Sequence, residues 1–478
     1  MTDTDRVELV FITVAAAGHI VSTVELAKLL IDRDERLSIT ILPMKSAILN
    51  FSNYGTNHSN IPSSRIRFIH LPDHEPDPSL DPRKNFTSMI EDNKLHVKEI
   101  ASKLSPKLAG IVLDLMCTPM IDVAIELGVP SYLYYAAGAA FLGMMFHVQD
   151  LHDEQGKEPT EFDELVVPGM ANPLPVPKSL PSPLLYKEGI QTVLNMARKF
   201  RETKGIIINT FTELEPYAVN SLASEDGIPP VYPVGPLLNL KGNGHNELSS
   251  NKFKEVMQWL DDQPPSSVVF LCFGSMGSFD VEQVKEIAYA LENSGHRFLW
   301  SLRRPPMEEE KHRIGSPTEY SDHQEVLPDG FLDRTADAGR VIGWAPQVEV
   351  LGHPSVGGFV SHCGWNSVLE AIWHGVPIGA WPLYAEQQFN AFELVVELGL
   401  AVEFRLGYRS SDQHHKAVIV NAGDIERGIR SLMDRSEEER MKLLDVMREY
   451  SKRALEEDGS SYNTIGCLIQ DIIGTNNH

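Results

Sequence analysis

A chain of 478 residues is longer than one hydrophobic core normally organises, so two domains are expected, each with a substantial apolar interior. The net charge of −24 argues against nucleic-acid or anionic-membrane binding, because no basic surface is available to release counterions from phosphates. Cys117, Cys272, Cys363 and Cys467 are scattered, mostly in apolar strand-like contexts and without CxxC spacing. That pattern fits reduced thiols in the cytosol. Asp3 and Asp5 open the chain, and its first apolar run is interrupted at Gly18 and His19. Neither a signal peptide nor a membrane helix is expected, and a cytoplasmic location follows.

Val7–Val14 is a continuous apolar run, and residues 21–30 repeat apolar side chains at helical spacing, which predicts a strand, a turn and a helix. Further strands are expected at 37–42, 66–71, 111–115, Ser131–Tyr135, 205–210 and 231–234, alternating with helical stretches in a doubly wound parallel sheet. His19 falls just past the first strand, and Asp114 ends the 111–115 strand, at the strand ends where ligands sit in open α/β sheets. Taken alone, such a histidine is more often structural than catalytic. Asp114 is equally a partner for His19 or an N-cap for the segment after Cys117. Residues 163–183 carry six prolines and read as an extended surface loop, not a sheet element, bordering an acceptor entrance.

Residues 241–250 lose apolar side chains and gain Gly and Asn, as an interdomain linker would. Beyond them the pattern restarts: a strand at 268–273, the turn GSMGS at 274–278, and a helix over 280–293 ended by Gly295. Strands at 297–302, 340–343, 357–360, 377–381 and 401–404 complete a second parallel sheet, with 305–328 as a long polar loop. Residues 344–387 read WAPQVEVLGHPSVGGFVSHCGWNSVLEAIWHGVPIGAWPLYAEQ, which breaks into a buried strand, a turn at 361–365 and a helix opening near Asn366 and Ser367. Those two side chains suit N-capping. Free N–H groups and the helix macrodipole favour a diphosphate at that turn, with His362 as a further donor or cation.

This stretch closely resembles the signature box of the plant secondary-product UDP-glycosyltransferases, and weaker similarity runs through most of the chain. The resemblance implies an α/β architecture of the GT-B type: two Rossmann-like doubly wound domains facing across a cleft. It divides the chain into an acceptor domain (1–240), the linker (241–250), a UDP-sugar domain (251–457) and a final helix (458–478) crossing back to the first domain. It also implies an inverting single displacement on an α-linked UDP-sugar, UDP-glucose as donor, and a β-glycoside product. The acceptor class is a small apolar hydroxylated metabolite such as a flavonoid, another phenolic or a terpenoid. His19 becomes the general base, and Asp114 fixes its tautomer. Trp344 stacks on uracil, Gln347 bonds near the base or ribose, and Glu370 accepts from the ribose hydroxyls. Ser275, His362, Asn366 and Ser367 face the phosphates, and Ala345, Gly364 and Trp365 complete the donor site. Glu386 and Gln387 bind sugar hydroxyls. Gln387 accompanies glucose, and Trp365 in place of a basic residue disfavours a glucuronate. Single displacement requires no metal or other cofactor, and the chain is expected to act as a monomer.

Two stretches depart from that family pattern. Ala15, Ala16 and Ala17 precede Gly18 where relatives carry prolines and an extra glycine, so the loop path differs or the helix starts earlier. Ala136 and Ala137 replace Thr-Ser, which predicts a roomier, less polar donor rim. A protein that binds nucleotide sugars without catalysis is the alternative, disfavoured by the survival of His19 and Asp114. A nicotinamide-dependent dehydrogenase fails because no GxGxxG follows the first strand.

Overall fold

The computed structural model describes residues 6–45, 64–75, 77, 79, 82–104, 107–240, 250–306, 317–411, 416–434 and 438–474. Its first sheet is wholly parallel. The strands are β1 (Val7–Val14), β2 (Leu37–Met44), β3 (Ile66–Phe68), β4 (Leu108–Asp114), β5 (Ser131–Tyr135), β8 (Gly205–Ile208) and β9 (Val231–Pro233), in the order β3-β2-β1-β4-β5-β8-β9. Helices cover both faces, so strands such as Leu108–Asp114 are buried throughout and read as unbroken apolar runs. The strand order reverses between β1 and β4, where Ile12 pairs with Leu113. Diverging connections open a crevice there, and it is the expected ligand position of such a sheet.

The second sheet repeats the plan with β10 (Val268–Cys272), β11 (Arg297–Ser301), β12 (Gly339–Ile342), β13 (Val356–Ser361), β14 (Ile378–Ala380) and β15 (Ala401–Glu403), in the order β12-β11-β10-β13-β14-β15. Its reversal lies between β10 and β13, with Cys272 paired to Ser361. Each sheet therefore has one switch point, and each switch point carries residues singled out from the sequence. The helix Val281–Ser294 ends at Gly295 in the left-handed conformation, φ 68°, which a glycine adopts without steric cost.

The last helix, Ser460–Gly474, lies on the first sheet. Ile465, Leu468, Ile469 and Ile472, one face at helical spacing, pack in one cluster with Leu9, Phe11 and Ile39. The Tyr132 hydroxyl donates to Asp471 at 2.8 Å, and Ser461 Oγ donates to the Gly235 carbonyl at 2.6 Å. Elsewhere the two halves share apolar clusters: Phe211 and Leu214 pack with Trp365 and Leu369, while Phe389 and Phe392 pack with Leu180, Leu184 and Phe200. Burial of such large apolar groups holds the two halves together.

Several expectations need correction. Residues 163–183 are not a plain loop: β6 (Glu164–Leu165) pairs antiparallel with β7 (Leu174–Pro175), and a short helix, Val176–Ser179, follows. Pro175 tolerates a two-stranded edge, and Pro177 sits in a first helical turn, where a missing N–H costs nothing. Gly169, φ 81°, turns the chain between the strands. Only Cys272 of the four cysteines lies on a strand; Cys117 is in a 3₁₀ turn, Cys363 in the turn after β13, and Cys467 is exposed on the last helix. The linker at 241–250 lies, apart from Ser250, outside the described residues, as does 307–316 of the polar loop. The described ends of that loop pair through Arg304 and Thr318.

Candidate active site

The first helix spans Ala17–Arg33, starting four residues before the apolar periodicity begins. Ala15 and Ala16 stay outside the helix, Ala16 as its extended N-cap, and the helix begins at Ala17, so His19 lies in its first turn rather than on the strand end. Asp114 closes β4 beside it. Its Oδ1 accepts from the Met116 N–H at 2.9 Å, capping the turn Leu115–Met120, while Oδ2 is 2.8 Å from His19 Nδ1. One carboxylate thus partners His19 and caps a turn, but the turn contains Cys117, and the segment after it has no cap from Asp114. The Asp114 side chain is fully buried, whereas that of His19 keeps 29% exposure, at the mouth of the crevice. Burial alone would lower the imidazole pKa; the Asp114 charge and hydrogen bond, with the Glu386 charge, hold it above its ordinary value. With Nδ1–H donated to Asp114, the Nε2 lone pair is left for a proton.

Facing this pair, the turn after β13 leads into the helix Trp365–His374, whose N-cap is Gly364. Neither Asn366 nor Ser367 caps it, contrary to the sequence reading; both lie inside the first turn and are aimed elsewhere. Asn366 Nδ2 donates to the Gly18 carbonyl at 2.9 Å, tying the donor-side helix to the residue before His19. Ser367 Oγ accepts from Gln347 Nε2 at 2.8 Å. The free N–H groups of this first turn therefore open toward the crevice beside His19, a favourable place for an anion.

His362 lies buried between two glycines. A Cβ on Gly274 would come 2.6 Å from its Nε2, and one on Gly364 2.5 Å. Burial lowers its pKa to about 4, so it is neutral and not the cation allowed from sequence; its Nδ1 has no hydrogen-bond partner among the described residues. Gly274 has φ 73° and brings the turn after β10 against this ring, while Ser275 beside it is exposed.

Trp344 is partly buried, with its N–H donated to Glu319 at 3.2 Å. Gln347 Nε2 also donates to Glu370 Oε2 at 2.6 Å, and burial raises the Glu370 carboxyl to about 7 despite that bond. Ala345 is buried below them. Trp365 is buried, and its Nε1 donates to the Asn209 carbonyl at 2.7 Å, so its indole locks the two halves together. At the far end of the box Gln387 Oε1 accepts from the Leu383 and Tyr384 N–H groups at 2.9 and 3.0 Å, and Glu386 stands near enough to His19 for their charges to interact. Asn366, through the Gly18 carbonyl, and Glu386, through its charge, thus bring two parts of the box to His19.

Comparison with known proteins agrees with that geometry. Residues 229–424 match the family model described as UDP-glucoronosyl and UDP-glucosyl transferase. The chain is 52% identical to UDP-glucose flavonoid 3-O-glucosyltransferase 6 of Fragaria ananassa, over 97% of this chain and 98% of the relative. The chain belongs to the plant family 1 UDP-glycosyltransferases.

Solved structures agree. A transferase from Siraitia grosvenorii in complex with UDP superposes with a TM-score of 0.87 at 46% identity, covering 98% of this chain and 100% of the other. Medicago truncatula UGT71G1 complexed with UDP-glucose gives 0.88 at 39%, covering 99% and 100%. The protein is accordingly a glycosyltransferase of the GT-B fold. Among the described residues of this UDP-glycosyltransferase, no helix is long and apolar enough to cross a membrane.

Met120, Tyr132, Tyr134, Met145 and Phe146 of the first half are core, whereas Met116 and Phe141 stay partly exposed. Ala136 and Ala137 follow β5, the first partly buried and the second buried. The helix that follows, Ala139–Gln155, has its first N–H groups taken by Glu215, which accepts from Ala139 and Ala140 at 3.0 and 2.7 Å. Sequence reading missed Glu215 and Glu319, because each meets these residues only through tertiary packing; the turn at Gly274 was read from the GSMGS motif, but its approach to His362 was not.

Proposed function

We propose that this UDP-glycosyltransferase transfers glucose from UDP-glucose to a hydroxyl of a small apolar phenolic or terpenoid acceptor, with inversion at the anomeric carbon. The observation that carries this reading is the His19–Asp114 pair set across the crevice from the first turn of Trp365–His374, joined by the Asn366–Gly18 hydrogen bond. In this reading residues 1–240 supply the acceptor side and base, 251–457 hold the donor, and 458–478 tie the two.

Nε2 of His19 takes the proton of the acceptor hydroxyl as its oxygen attacks the anomeric carbon from the face opposite UDP. Asp114 stabilises the imidazolium that forms, as the acid of a catalytic triad does. Negative charge developing on the leaving diphosphate is met by the free N–H groups and dipole of Trp365–His374, by Asn366 and Ser367, by neutral His362 as a hydrogen-bond donor, and by the turn at Gly274 and Ser275. Trp344 lies against uracil, Gln347 beside the base or ribose, and Glu370 accepts from ribose hydroxyls. Glu386 and Gln387 take the glucose hydroxyls. No metal is asked for, since backbone dipoles and uncharged donors receive the leaving charge. We place the enzyme in the cytoplasm as a monomer.

Acceptor class is supported by the printed activity of the Fragaria ananassa relative, a flavonoid 3-O-glucosyltransferase. The test is a screen of flavonoids, simple phenolics and terpenoid alcohols with UDP-glucose, reading UDP release and product mass, then the anomeric configuration by NMR. A β-glucoside from at least one class is expected. UDP-glucose that binds but is never turned over with any acceptor would sink this reading in favour of a binding protein.

A further inference from the structure

The proline-rich segment that precedes the acceptor side of the crevice is fastened to the other half of the molecule. Glu397 accepts from the Ala171 and Asn172 N–H groups at 2.8 Å each, and buried Arg409 donates to the Leu180 and Pro177 carbonyls at 2.6 and 3.4 Å. These bonds bring Ser182 onto the end of the donor box. Its N–H donates to the Ala385 carbonyl at 3.0 Å, and its Oγ donates to Gln388 Oε1 at 3.2 Å. Ala385 and Gln388 flank Glu386 and Gln387, so one serine clasps that pair from both sides.

The clasped backbone needs holding. Ala385 has φ 56°, a left-handed conformation unfavourable for a residue with a Cβ and maintained only where surrounding bonds over-determine it. Gln387 closes the turn from within, through the Leu383 and Tyr384 N–H groups. Gln388 is fully buried, with its Nε2 donating to the Tyr408 carbonyl at 2.9 Å. Ser182 adds two hydrogen bonds from the opposite half. Hydroxyl-bearing ligands are discriminated by polar groups fixed within a fraction of an ångström, and a loosened pair tolerates an epimer that a fixed pair rejects.

We infer that Ser182 is a positioning residue for donor-sugar recognition, setting Glu386 and Gln387 so that the glucose hydroxyls are told from those of an epimeric hexose. This rests on the reading that Glu386 and Gln387 hold the sugar. The experiment compares wild type, Ser182→Ala, Ser182→Thr and Gln387→Ala. It measures kcat and KM with UDP-glucose and UDP-galactose, Kd for UDP alone, and Tm. For Ser182→Ala, loss of one neutral hydrogen bond predicts a UDP-glucose KM raised about 2- to 10-fold and a glucose-to-galactose ratio of kcat/KM lowered by a similar factor. UDP Kd and Tm stay unchanged, and Ser182→Thr restores the wild-type ratio. An unchanged ratio in Ser182→Ala, or a loss of UDP affinity in step with the KM effect, overturns the inference while a Gln387→Ala defect leaves the donor-sugar reading standing. If Gln387→Ala itself keeps normal KM and discrimination, that reading falls and this inference with it.

Discussion

The two sheets carry their functional residues at equivalent points, the strand-order reversals between β1 and β4 and between β10 and β13, but they assemble them by different routes. In the second sheet Gln347, Ser367 and Glu370 all come from one unbroken stretch, 344–387, and meet in one hydrogen-bonded group between two helices that flank β13. In the first sheet His19 and Asp114 come from separate strand–helix connections and meet only because β1 and β4 pair in one register. In the proposed reading, donor binding thus draws on one stretch of chain, whereas base catalysis depends on the pairing of two distant connections and on a buried carboxylate. The two regions should fail differently when perturbed.

The sharpest break is His19→Ala, expected to cut turnover by roughly 10² to 10⁴ while UDP-glucose binding, measured by calorimetry, stays nearly intact. Near-normal turnover would remove the base assignment. Asp114→Asn should follow with a loss of about 10- to 10²-fold, since the imidazolium loses its partner but Nε2 remains. The pH profile adds an independent check. His19 acts when neutral, and its pKa is held above 6.5, so kcat/KM should fall as pH drops through that raised value. In Asp114→Asn the charge that raises it is gone, and the acid limb should move to lower pH. A limb that stays in place would mean that another group titrates.

Effects on the donor side should be smaller and confined to KM. Glu370→Gln removes a charged acceptor and is expected to raise the UDP-glucose KM about 10-fold with kcat little changed. With the Glu370 carboxyl at about 7, its ionised, accepting form gains population as pH rises. The wild-type donor KM should therefore fall as pH rises through about 7, and Glu370→Gln should abolish that slope. The smallest effect is assigned to the rim where this chain departs from its family. Ala136→Thr should tighten UDP-glucose binding by about 2- to 10-fold, the worth of one neutral hydrogen bond. Unchanged affinity and unchanged donor preference would show that the alanine rim does not loosen the donor site.

Legibility in the sequence followed the same division. Strand positions were clear because parallel strands buried on both faces are written as continuous apolar runs. The donor box was clear because its spacing is local. The state of His362 was not, since its neutrality comes from burial between Gly274 and Gly364, the first of which belongs to another connection. The caps were misread for a related reason: Asn366 suits an N-cap by residue type, yet its amide is drawn to the Gly18 carbonyl of the opposite half. The 163–183 segment was misread because proline content reports what a backbone cannot do, not which carbonyls and N–H groups Arg409, Glu397 and Ser182 will engage.

By itself, the sequence determined two parallel α/β sheets, their switch-point residues and the family, because hydrophobic periodicity and local motif spacing need no partner to be read. Only the tertiary structure decided that Asp114 serves His19 and a helical turn at once, that Glu386 stands near His19, and that Ser182 bonds to the residues flanking Glu386 and Gln387. Those pairings join residues far apart in the chain, and their energies depend on distance, burial and register, which exist only once the two sheets are folded and closed on each other.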